Sequence, residues 1–324
     1  MRAVRYERFG TADVLQVAEI AEPVPNAGDV KVKIFAASLD PLDWKIRAGH
    51  LRFLPMFARP PRTVGTELAG EIVGVGGGPG PRYIGERVFG SLSPYGRDGS
   101  CAEYAVIGAH RVVPIPEGIS YEQAAAAPVA GGTAAQALID DAKVAAGQRV
   151  LIIGAAGGVG HLAVQVAKHL GAYVVATCSA ANVEFVRELG ADEVVDYSKD
   201  DMTGRGDKFD VVLDTADALG WRRARSLLAP GGLYLGMGGS TSTAIGTVVA
   251  GFFTQLRTGM RAQTFLLKTG GTSCRRLAEL LAKGVLKPQV THRVSLEQVA
   301  DAQRRMETGH GRGKTVVLPH GPVL

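Results

Sequence analysis

A glycine-rich turn directly after an apolar run is the feature that most constrains this chain. Residues 148–154, QRVLIIG, form an apolar run typical of a strand buried on both faces of a parallel sheet. The run continues into GAAGGVGHLAVQVAKHLGA, in which Gly154, Gly157 and Gly160 have the spacing GxxGxxG. Such glycines permit a tight turn and a close approach of the backbone to a pyrophosphate, which the first N–H groups of the following helix then face. The sequence therefore predicts a strand, a turn and a helix that bind a dinucleotide.

Strand-like and helix-like segments alternate after this turn. In the helix predicted next to it, Leu162, Val166 and Leu170 recur every four residues and form an apolar stripe. Repeated βα units of this kind predict an α/β fold with a doubly wound parallel sheet. We expect strands at 149–154, 172–177, 193–196, 209–214 and 232–236, and helices at 158–169, 182–189 and 219–228.

The chain before about residue 120 has a different pattern. Short runs rich in β-branched residues are separated by Gly and Pro, which predicts strands joined by turns. Helix-like, Ala-rich sequence begins at about residue 121, and a helix and a strand are predicted near the C-terminal end. The predicted strands are 30–38, 67–76, 86–90, 101–107 and 314–318, and the late helix is 274–283.

Composition and charge narrow the function classes. The chain has 324 residues and 46% apolar side chains, enough for about two domains with large cores. A net charge of +5 is a weak field over so much surface, and the Arg pairs at 222–223, 275–276 and 304–305 lie in helix-like segments. We interpret these arginines as lying on the solvent-exposed faces of helices, so nucleic acid is not the expected partner.

Cysteine spacing and hydropathy bear on the compartment. The three cysteines form no CxxC pair, which argues against a disulfide framework and against a thiolate metal site. The first residues, MRAVRYERFG, lack the apolar core of a secretory signal. The uncharged stretch 226–256 has a compact apolar part only from 244 to 256, shorter than the roughly 20 residues that span a bilayer. We expect a cytoplasmic protein without a membrane partner.

The tip of the second predicted strand bears on the choice of cofactor. Sites for NAD usually place Asp or Glu there, about 20 residues after the glycines, to accept a hydrogen bond from the ribose 2′-OH. Here the sequence is VVATCSAAN, with Ser179 at the tip and no acidic residue before Glu184. The carboxylate that would repel a 2′-phosphate is missing, so NADPH is the expected cofactor.

Five segments spread along the chain form a recognisable set. They are DPLDWKIRAG (40–49), VGTELAGEIVGVG (64–76), GGTAAQAL (131–138), the glycine turn, and RGKTVVL (312–318). Together they resemble the zinc-independent medium-chain dehydrogenases/reductases of the quinone oxidoreductase group, also called the zeta-crystallin-like family. The resemblance covers essentially the whole chain.

The resemblance implies a fold of two domains with the active site in the cleft between them. A GroES-like β domain is expected at 1–121, completed by 265–324, and a Rossmann NADP-binding domain at 122–264. A homodimer is also implied. Four apolar residues in the stretch 238–265 are interpreted as a wall over the substrate cleft, as a dimer surface or, more simply, as core: Phe252, Phe253, Met260 and Phe265.

The positions of the zinc ligands in related alcohol dehydrogenases carry other residues here. Those enzymes of the superfamily bind the catalytic metal through Cys, His and Cys. The matching positions are Asp40, Thr66 and about Val129, which leaves no soft or imidazole ligand. We therefore expect no metal site.

The resemblance also implies an activity. In the family, NADPH delivers hydride to a quinone or to the β-carbon of an α,β-unsaturated ketone or aldehyde. The missing zinc ligands agree with this, because alcohol oxidation in the zinc enzymes depends on a metal-stabilised alkoxide. Two alternatives stay open: a reductase of carrier-bound or CoA-linked enoyl thioesters, and a low-turnover NADPH-binding or RNA-binding protein.

Three residues of the first motif are the catalytic candidates. Lys45 stands where many relatives carry Tyr close to the nicotinamide, and is a candidate to protonate an enolate or to orient a carbonyl group. Its alternative is a solvated Lys beside Asp43. Asp40 replaces the usual Asn of the family and adds a charge near the cofactor. Asp43 is either catalytic or paired with Lys45 or Arg47.

The cofactor-binding candidates follow from the glycine turn and from the resemblance. Thr133 is expected near the nicotinamide ribose or carboxamide, or as a helix N-cap. Tyr197 either stacks on adenine or is an ordinary edge aromatic, and Asn182 stands where some relatives have a Lys for the 2′-phosphate. Lys314 matches a position that lies near the cofactor in relatives. The full set is Thr133, Gly154, Gly157, Gly158, Val159, Gly160, Ser179, Asn182, Tyr197 and Lys314.

Overall fold

The computed structural model describes residues 1–54, 57–77, 83–237, 259–264, 271–309 and 311–321. The chain divides into a first unit, Met1–Gly132 with Thr269–Leu324, and a second unit, Thr133–Lys268. The first boundary falls 11 residues and the second 4 residues after those expected from the sequence. The residues from 122 onward join the first unit because the helix Tyr121–Ala125 packs against two of its strands, Asp29–Leu39 and Glu67–Val75.

The strands of the two units differ in their burial patterns. Within Asp29–Leu39 half-buried and buried residues alternate from Asp29 to Ala36, whereas Arg149–Ile153 is buried in all but its first residue, as predicted for a parallel sheet. In chain order the strands are β1 (Arg2–Tyr6), β2 (Gln16–Glu19), β3 (Asp29–Leu39), β4 (Arg62–Thr63), β5 (Glu67–Val75), β6 (Arg87–Ser91), β7 (Tyr104–Gly108), β8 (Val112–Pro114), β9 (Arg149–Ile153), β10 (Tyr173–Cys178), β11 (Glu193–Asp196), β12 (Phe209–Asp214), β13 (Leu228–Gly236), β14 (Arg261–Thr264), β15 (Val290–Val294) and β16 (Lys314–Val317).

The helices within the described part of the chain are mostly short. A π-helical turn, Gln136–Asp141, continues the third of them. In chain order they are α1 (Pro41–Arg47), α2 (Tyr121–Ala125), α3 (Pro128–Ala135), α4 (Gly160–His169), α5 (Val183–Glu188), α6 (Gly220–Ala224), α7 (Gly271–Ala282) and α8 (Val299–Glu307).

Helix α1 differs from the strands and turns expected before residue 120. Its start carries local signals of a helix: Pro41 at the first position, and Asp43, whose Oδ2 accepts a hydrogen bond from the backbone N–H of Asp40 at 2.8 Å. Seven residues are too few to show a helical period among β-rich neighbours, so the pattern missed the element.

The second unit contains the predicted parallel sheet. Its strand order is β11-β10-β9-β12-β13-β14, and every neighbouring pair is parallel. The chain proceeds from β9 to one side and from β12 to the other, so the order reverses between these two strands. In sheets of this kind, ligands bind outside the carboxyl ends of the strands at this switch point.

The first unit is built around antiparallel strands. Its larger sheet has the order β15-β16-β3-β5-β6-β8, with β7 paired to β3, and a smaller sheet has the order β2-β1-β4. β16 pairs antiparallel with β3, with Thr315 opposite Leu39. The C-terminal segment therefore completes this sheet, and the register brings Lys314 next to Asp40.

The expected apolar wall at 238–265 falls largely outside the described residues, which exclude 238–258 and 265. Of its members, Met260 is described, and it packs against the core formed by Phe209, Trp221 and Tyr234. For this residue, core packing is the observed outcome. Among the residues described, no helix is both long enough and apolar enough to cross a membrane.

Candidate active site

The glycine turn joins β9 to α4 at the carboxyl edge of the parallel sheet. Gly154 has a φ of +75°, a conformation that side chains rarely adopt, and its carbonyl oxygen accepts the N–H of Gly157 at 3.0 Å. A Cβ on Gly160 would lie 2.2 Å from the same oxygen, so only glycine fits there. The turn itself therefore requires Gly154 and Gly160.

Gly157 is not required in this way. A Cβ on it would meet only the carbonyl oxygen of Gly154, at 3.3 Å, and its backbone is half-buried. Beside it, the backbone N–H groups of Gly158, Val159 and Gly160 have no acceptor among the described residues. The turn thus presents three available donors and an open backbone at the N-terminus of α4, where negative charge is stabilised. A pyrophosphate fits this cradle.

The tip of β10 lies at the same edge as the glycine turn. Ser179 and Asn182 are half-buried, and Asn182 Nδ2 donates to Ser179 Oγ at 3.1 Å. Tyr197 follows the neighbouring strand, its N–H bonded to the carbonyl oxygen of Cys178 at 3.1 Å and its side chain 54% exposed. Because the Ser179 hydroxyl accepts from Asn182, its own hydrogen is available to a further acceptor.

A buried ion cluster lies at the start of β16 in the first unit. Lys314 is 3% exposed, and its ammonium group donates to Asp40 Oδ1 at 2.7 Å, to Glu67 Oε2 at 2.8 Å and to the carbonyl oxygen of Leu39 at 3.2 Å. Glu67 Oε1 accepts the backbone N–H of Val129 at 2.6 Å. All three hydrogens of the ammonium group are engaged, so a direct bond from Lys314 to a cofactor would require one of these bonds to break.

The cluster holds two carboxyl groups against one ammonium group. Burial and then the negative charge of Asp40 raise the pKa of the Glu67 carboxyl well above its usual range, against the opposing effect of Lys314. Burial lowers the pKa of Lys314, but its attraction to the two carboxylates outweighs burial, so the pKa rises and Lys314 stays charged. A proton bound to Glu67 would leave the cluster neutral, and Asp40 Oδ2 is buried without a hydrogen-bond partner.

Asp43 lies inside the first turn of α1 and is 6% exposed. Burial, followed by the charge of Asp40, raises the pKa of its carboxyl to about 7. The hydrogen bond from the Asp40 backbone, together with Lys314 and Arg62, acts in the opposite direction. The carboxyl group therefore changes its charge near neutral pH, next to the ion cluster.

Lys45 and Arg47 lie on the same helix but do not pair with Asp43 in the residues that the structure describes. Arg47 is fully buried, and its Nε donates to Gln303 Oε1 at 2.8 Å. Lys45 is half-buried, with its ammonium nitrogen 5.8 Å from the centroid of the Trp44 ring. The interpretation of Asp43 as an ion-pair partner of either residue is therefore wrong, and the charge of Lys45 is not neutralised by a carboxylate on its own helix.

Thr133 is buried, at 6% exposure, and belongs to α3. Its alternative role as a helix N-cap is wrong, because the helix begins at Pro128 and Thr133 lies in its second half. Its proximity to a nicotinamide stays a prediction.

Comparison with known proteins decides the family. The model described as "Alcohol dehydrogenase GroES-like domain" matches residues 26–117, and that described as "Zinc-binding dehydrogenase" matches residues 189–317. A chloroplastic quinone-oxidoreductase homolog of Spinacia oleracea is 35% identical over 332 residues, which cover 98% of this chain and 98% of that protein. The chain belongs to the quinone oxidoreductase family of medium-chain dehydrogenases/reductases. It is an oxidoreductase, with a GroES-like first unit and a Rossmann-like parallel sheet, as the sequence resemblance implied.

Two further relatives of this oxidoreductase bear on its chemistry. A chloroplastic NADPH-dependent alkenal/one oxidoreductase of Arabidopsis thaliana is 32% identical over 330 residues, covering 98% of this chain and 80% of that protein. The crystal structure of Escherichia coli quinone oxidoreductase complexed with NADPH superposes with a TM-score of 0.87 at 26% identity, covering 98% of this chain and 100% of that one.

The positions that match the zinc ligands serve other purposes in this oxidoreductase. The Asp40 carboxylate binds the Lys314 ammonium group, and Val129 gives its backbone N–H to Glu67. Thr66 is 5% exposed, and its carbonyl oxygen accepts the N–H of Leu92 at 2.7 Å. Over the described ranges, His, Cys, Asp and Glu side chains form no group of three or more that could hold a metal ion.

Sequence reasoning missed two acids that the structure makes prominent. Glu67 is fully buried at the start of β5, and an acid within an apolar strand motif was the available signal, because a buried charge needs a partner. Asp214 is fully buried at the carboxyl end of β12, where its carboxylate accepts backbone N–H groups, including that of Leu219 at 2.9 Å. Its position at the end of a predicted strand beside the dinucleotide turn was the signal.

Proposed function

We propose that this oxidoreductase is an NADPH-dependent, zinc-free reductase that transfers hydride to a quinone or to an α,β-unsaturated carbonyl compound. The observation that carries the proposal is the glycine cradle at the switch point of the parallel sheet, with Ser179 in place of an acidic residue directly after β10. The names of the Arabidopsis and Escherichia coli relatives support the cofactor and the acceptor class.

The glycine turn and the β10 tip hold the cofactor in this proposal. The N–H groups of Gly158, Val159 and Gly160 bind the pyrophosphate, while Gly157 lets it approach the backbone. Ser179 donates its free hydroxyl hydrogen to a 2′-phosphate, and the exposed ring of Tyr197 stacks on adenine. Asn182 orients the Ser179 hydroxyl through its 3.1 Å bond and adds no charge of its own. When bound, the reduced nicotinamide supplies a hydride ion.

The residues of α1 act on the acceptor. The ammonium group of Lys45 donates a hydrogen bond to the acceptor's carbonyl oxygen and stabilises the negative charge that develops there. Electrostatic stabilisation of a developing charge is usually the largest single contribution to catalysis. Lys45 then donates a proton to the enolate formed by hydride addition at the β-carbon and takes a proton back from water. The Asp40 and Asp43 carboxyls set the local charge, and Lys314 acts through Asp40 and Glu67 by fixing the start of α1.

Consumption of NADPH with a panel of acceptors tests the proposal. We expect oxidation of NADPH with 1,4-benzoquinone and with 3-penten-2-one, followed at the absorbance of the reduced nicotinamide. If the protein reduced crotonyl-CoA but neither 1,4-benzoquinone nor 3-penten-2-one, it would instead be an enoyl-thioester reductase. A protein that binds NADPH without turnover, and that shifts RNA in a gel, would contradict the reductase assignment altogether.

We further propose a cytoplasmic homodimer, which the family resemblance implies. Light scattering coupled to size-exclusion chromatography should give twice the mass of 33.9 kDa that the chain has. A single-chain mass at micromolar concentration would contradict the dimer without affecting the proposed chemistry.

A further inference from the structure

The loop that follows β12 contacts the glycine turn directly. Asp214, the last residue of β12, is paired in parallel with Ile153 of β9. The next residue, Thr215, places its hydroxyl 2.7 Å from the carbonyl oxygen of Ile153 and 3.2 Å from that of Gly154, and its backbone N–H donates to Ile153 at 3.1 Å. A Cβ on Gly154 would lie 2.9 Å both from Thr215 Oγ1 and from the Ala216 side chain. No side chain fits between the loop and the turn.

The carboxylate of Asp214 determines the path of this loop. It is fully buried, and it accepts five hydrogen bonds that lie between 2.9 and 3.3 Å, four of them from the backbone of the loop that it begins. A carboxylate has two oxygens with about four lone-pair positions, whereas an amide offers one oxygen and turns its NH₂ group toward the other donors. The donors are the N–H groups of Ala216, Ala218, Leu219 and Gly220 and the hydroxyl of Tyr234.

The carbonyl group of Gly154 connects this loop to the cofactor cradle. The same oxygen that faces Thr215 accepts the N–H of Gly157 and lies against the backbone of Gly160. A rotation of this peptide group would open the turn and move the N–H groups at the start of α4. The orientation of one carbonyl group thus controls the three donors that face the pyrophosphate.

We propose that Asp214 and Thr215 are positioning residues for cofactor binding. Asp214 shapes the loop, and the Thr215 hydroxyl, whose single hydrogen lies between the carbonyl oxygens of Ile153 and Gly154, holds the start of the turn so that its donors face the ligand. The inference rests on the proposed function, because the affinity for a dinucleotide is the property that these residues set.

Substitution of Thr215 separates positioning from folding. Thr215→Val keeps the β-branched shape and removes the hydroxyl, so we expect the dissociation constant for NADPH to rise about tenfold, the effect of one lost hydrogen bond. At saturating NADPH, kcat should stay near the wild-type value, because the acceptor side is unchanged. Thr215→Ser keeps the hydroxyl and should restore the affinity. Asp214→Asn should weaken NADPH binding as well, with an added loss of stability.

Asp210 provides a matched control at the opposite end of the same strand. Its Oδ2 accepts the backbone N–H of Arg149 at 2.8 Å, so it is a second acid of β12 that binds the backbone of β9. Asp210→Asn should lower the melting temperature without changing the NADPH dissociation constant. The proposal would be overturned if Thr215→Val bound NADPH with the wild-type affinity. It would also be overturned if Asp210→Asn lost as much NADPH affinity as Thr215→Val.

Hydrogen exchange without any ligand completes the test. The amides of residues 154–160 should exchange faster in Thr215→Val than in the wild type, and at the wild-type rate in Asp210→Asn. Unchanged exchange in Thr215→Val would overturn the positioning role. If the wild type binds no dinucleotide, the proposed function fails, yet the exchange experiment still decides whether Thr215 holds the turn.

Discussion

Lys314 Nζ lies 2.7 Å from Asp40 Oδ1, with both residues almost completely buried. The pair joins the start of β16 to the residue that precedes α1, so a strand near the end of the chain holds the helix that carries the catalytic candidates. The geometry yields a prediction about stability. Lys314→Met removes the cation and leaves the Asp40 and Glu67 carboxyls buried together, which should cost about 3–5 kcal/mol in the free energy of unfolding.

The loss in Lys314→Met should also depend on pH. Without the ammonium group, folding favours the protonated carboxyls more strongly, so the variant loses stability relative to the wild type as the pH rises from 5.5 to 8. Urea unfolding at the two pH values measures both effects. As a control, Lys168→Met breaks the partly exposed pair with Asp192 and should cost only about 1 kcal/mol or less. Similar losses in the two variants would contradict a buried cluster.

Asp43 predicts a pH dependence of its own. Its folded-state pKa of about 7 is higher than that of an unfolded Asp, so between pH 4 and 7 the folded chain holds a proton that the unfolded chain has lost. As the pH rises over this range, the free energy of unfolding of the wild type should therefore fall relative to that of Asp43→Asn, by up to about 1.4 kcal/mol per pH unit. The asparagine can still accept the hydrogen bond from Asp40.

Asp192→Asn serves as the control for that measurement. Partial desolvation raises the pKa of Asp192, but hydrogen bonds from Lys168 and the Val174 N–H outweigh it and lower the pKa, so this carboxylate is ionised in both states above pH 5. The difference in unfolding free energy between wild type and Asp192→Asn should stay constant from pH 5 to 8. A constant difference for Asp43→Asn too would mean that its carboxyl is already ionised at pH 5.

Lys45 predicts a contrast between two acceptors. Lys45→Ala should lower kcat for an enone by about 100-fold, because one cation or acid at the developing oxyanion is lost. Quinone reduction should suffer less, since aromatisation stabilises its product and water can protonate it. The measurement is kcat for 3-penten-2-one and 1,4-benzoquinone, with Lys45→Arg as the variant that keeps the charge. Equal, small losses on both acceptors would assign protonation to solvent and leave Lys45 without a catalytic role.

The β10 tip predicts a moderate preference for NADPH. A charge-assisted bond from Ser179 to a 2′-phosphate contributes roughly 1.5–3 kcal/mol, and the uncharged Asn182 places the preference near the lower end, at about tenfold. Titration of NADPH and NADH by protein fluorescence measures it. Ser179→Ala should reduce the preference, whereas Ser226→Ala, a substitution at an exposed hydroxyl bonded to the Arg223 carbonyl, should not. Tighter NADH binding by the wild type would reverse the assignment.

The ligand positions predict insensitivity to chelation. Asp40, Thr66 and Val129 offer one carboxylate already bound to an ammonium group, so activity should survive EDTA. Elemental analysis of the purified protein should find no stoichiometric zinc. One tightly bound zinc per chain, with activity lost on chelation, is the contrary result.

Much of the second unit could be predicted because its signals are local. The strand 209–214 and the strand 193–196 were predicted at their observed bounds, and the glycine turn at its observed place. Apolar runs, glycine spacing and a helical stripe report burial and hydrogen bonding within a few residues, so a short window contains the information. Helix α1 was not predicted, because it has only seven residues and its helix signals all lie in one turn.

The sequence by itself determined the family, the alternation of strands and helices that follows the glycine turn, and the turn where a dinucleotide is expected. Only the tertiary structure decided which charges meet. Lys314 and Asp40 are 274 residues apart, and the antiparallel register that places Thr315 opposite Leu39 brings them together. Likewise, the parallel pairing of Asp214 with Ile153 sets Thr215 against the glycine turn across 62 residues. Registers between distant strands depend on the packing of the whole sheet, which no local pattern of residues records.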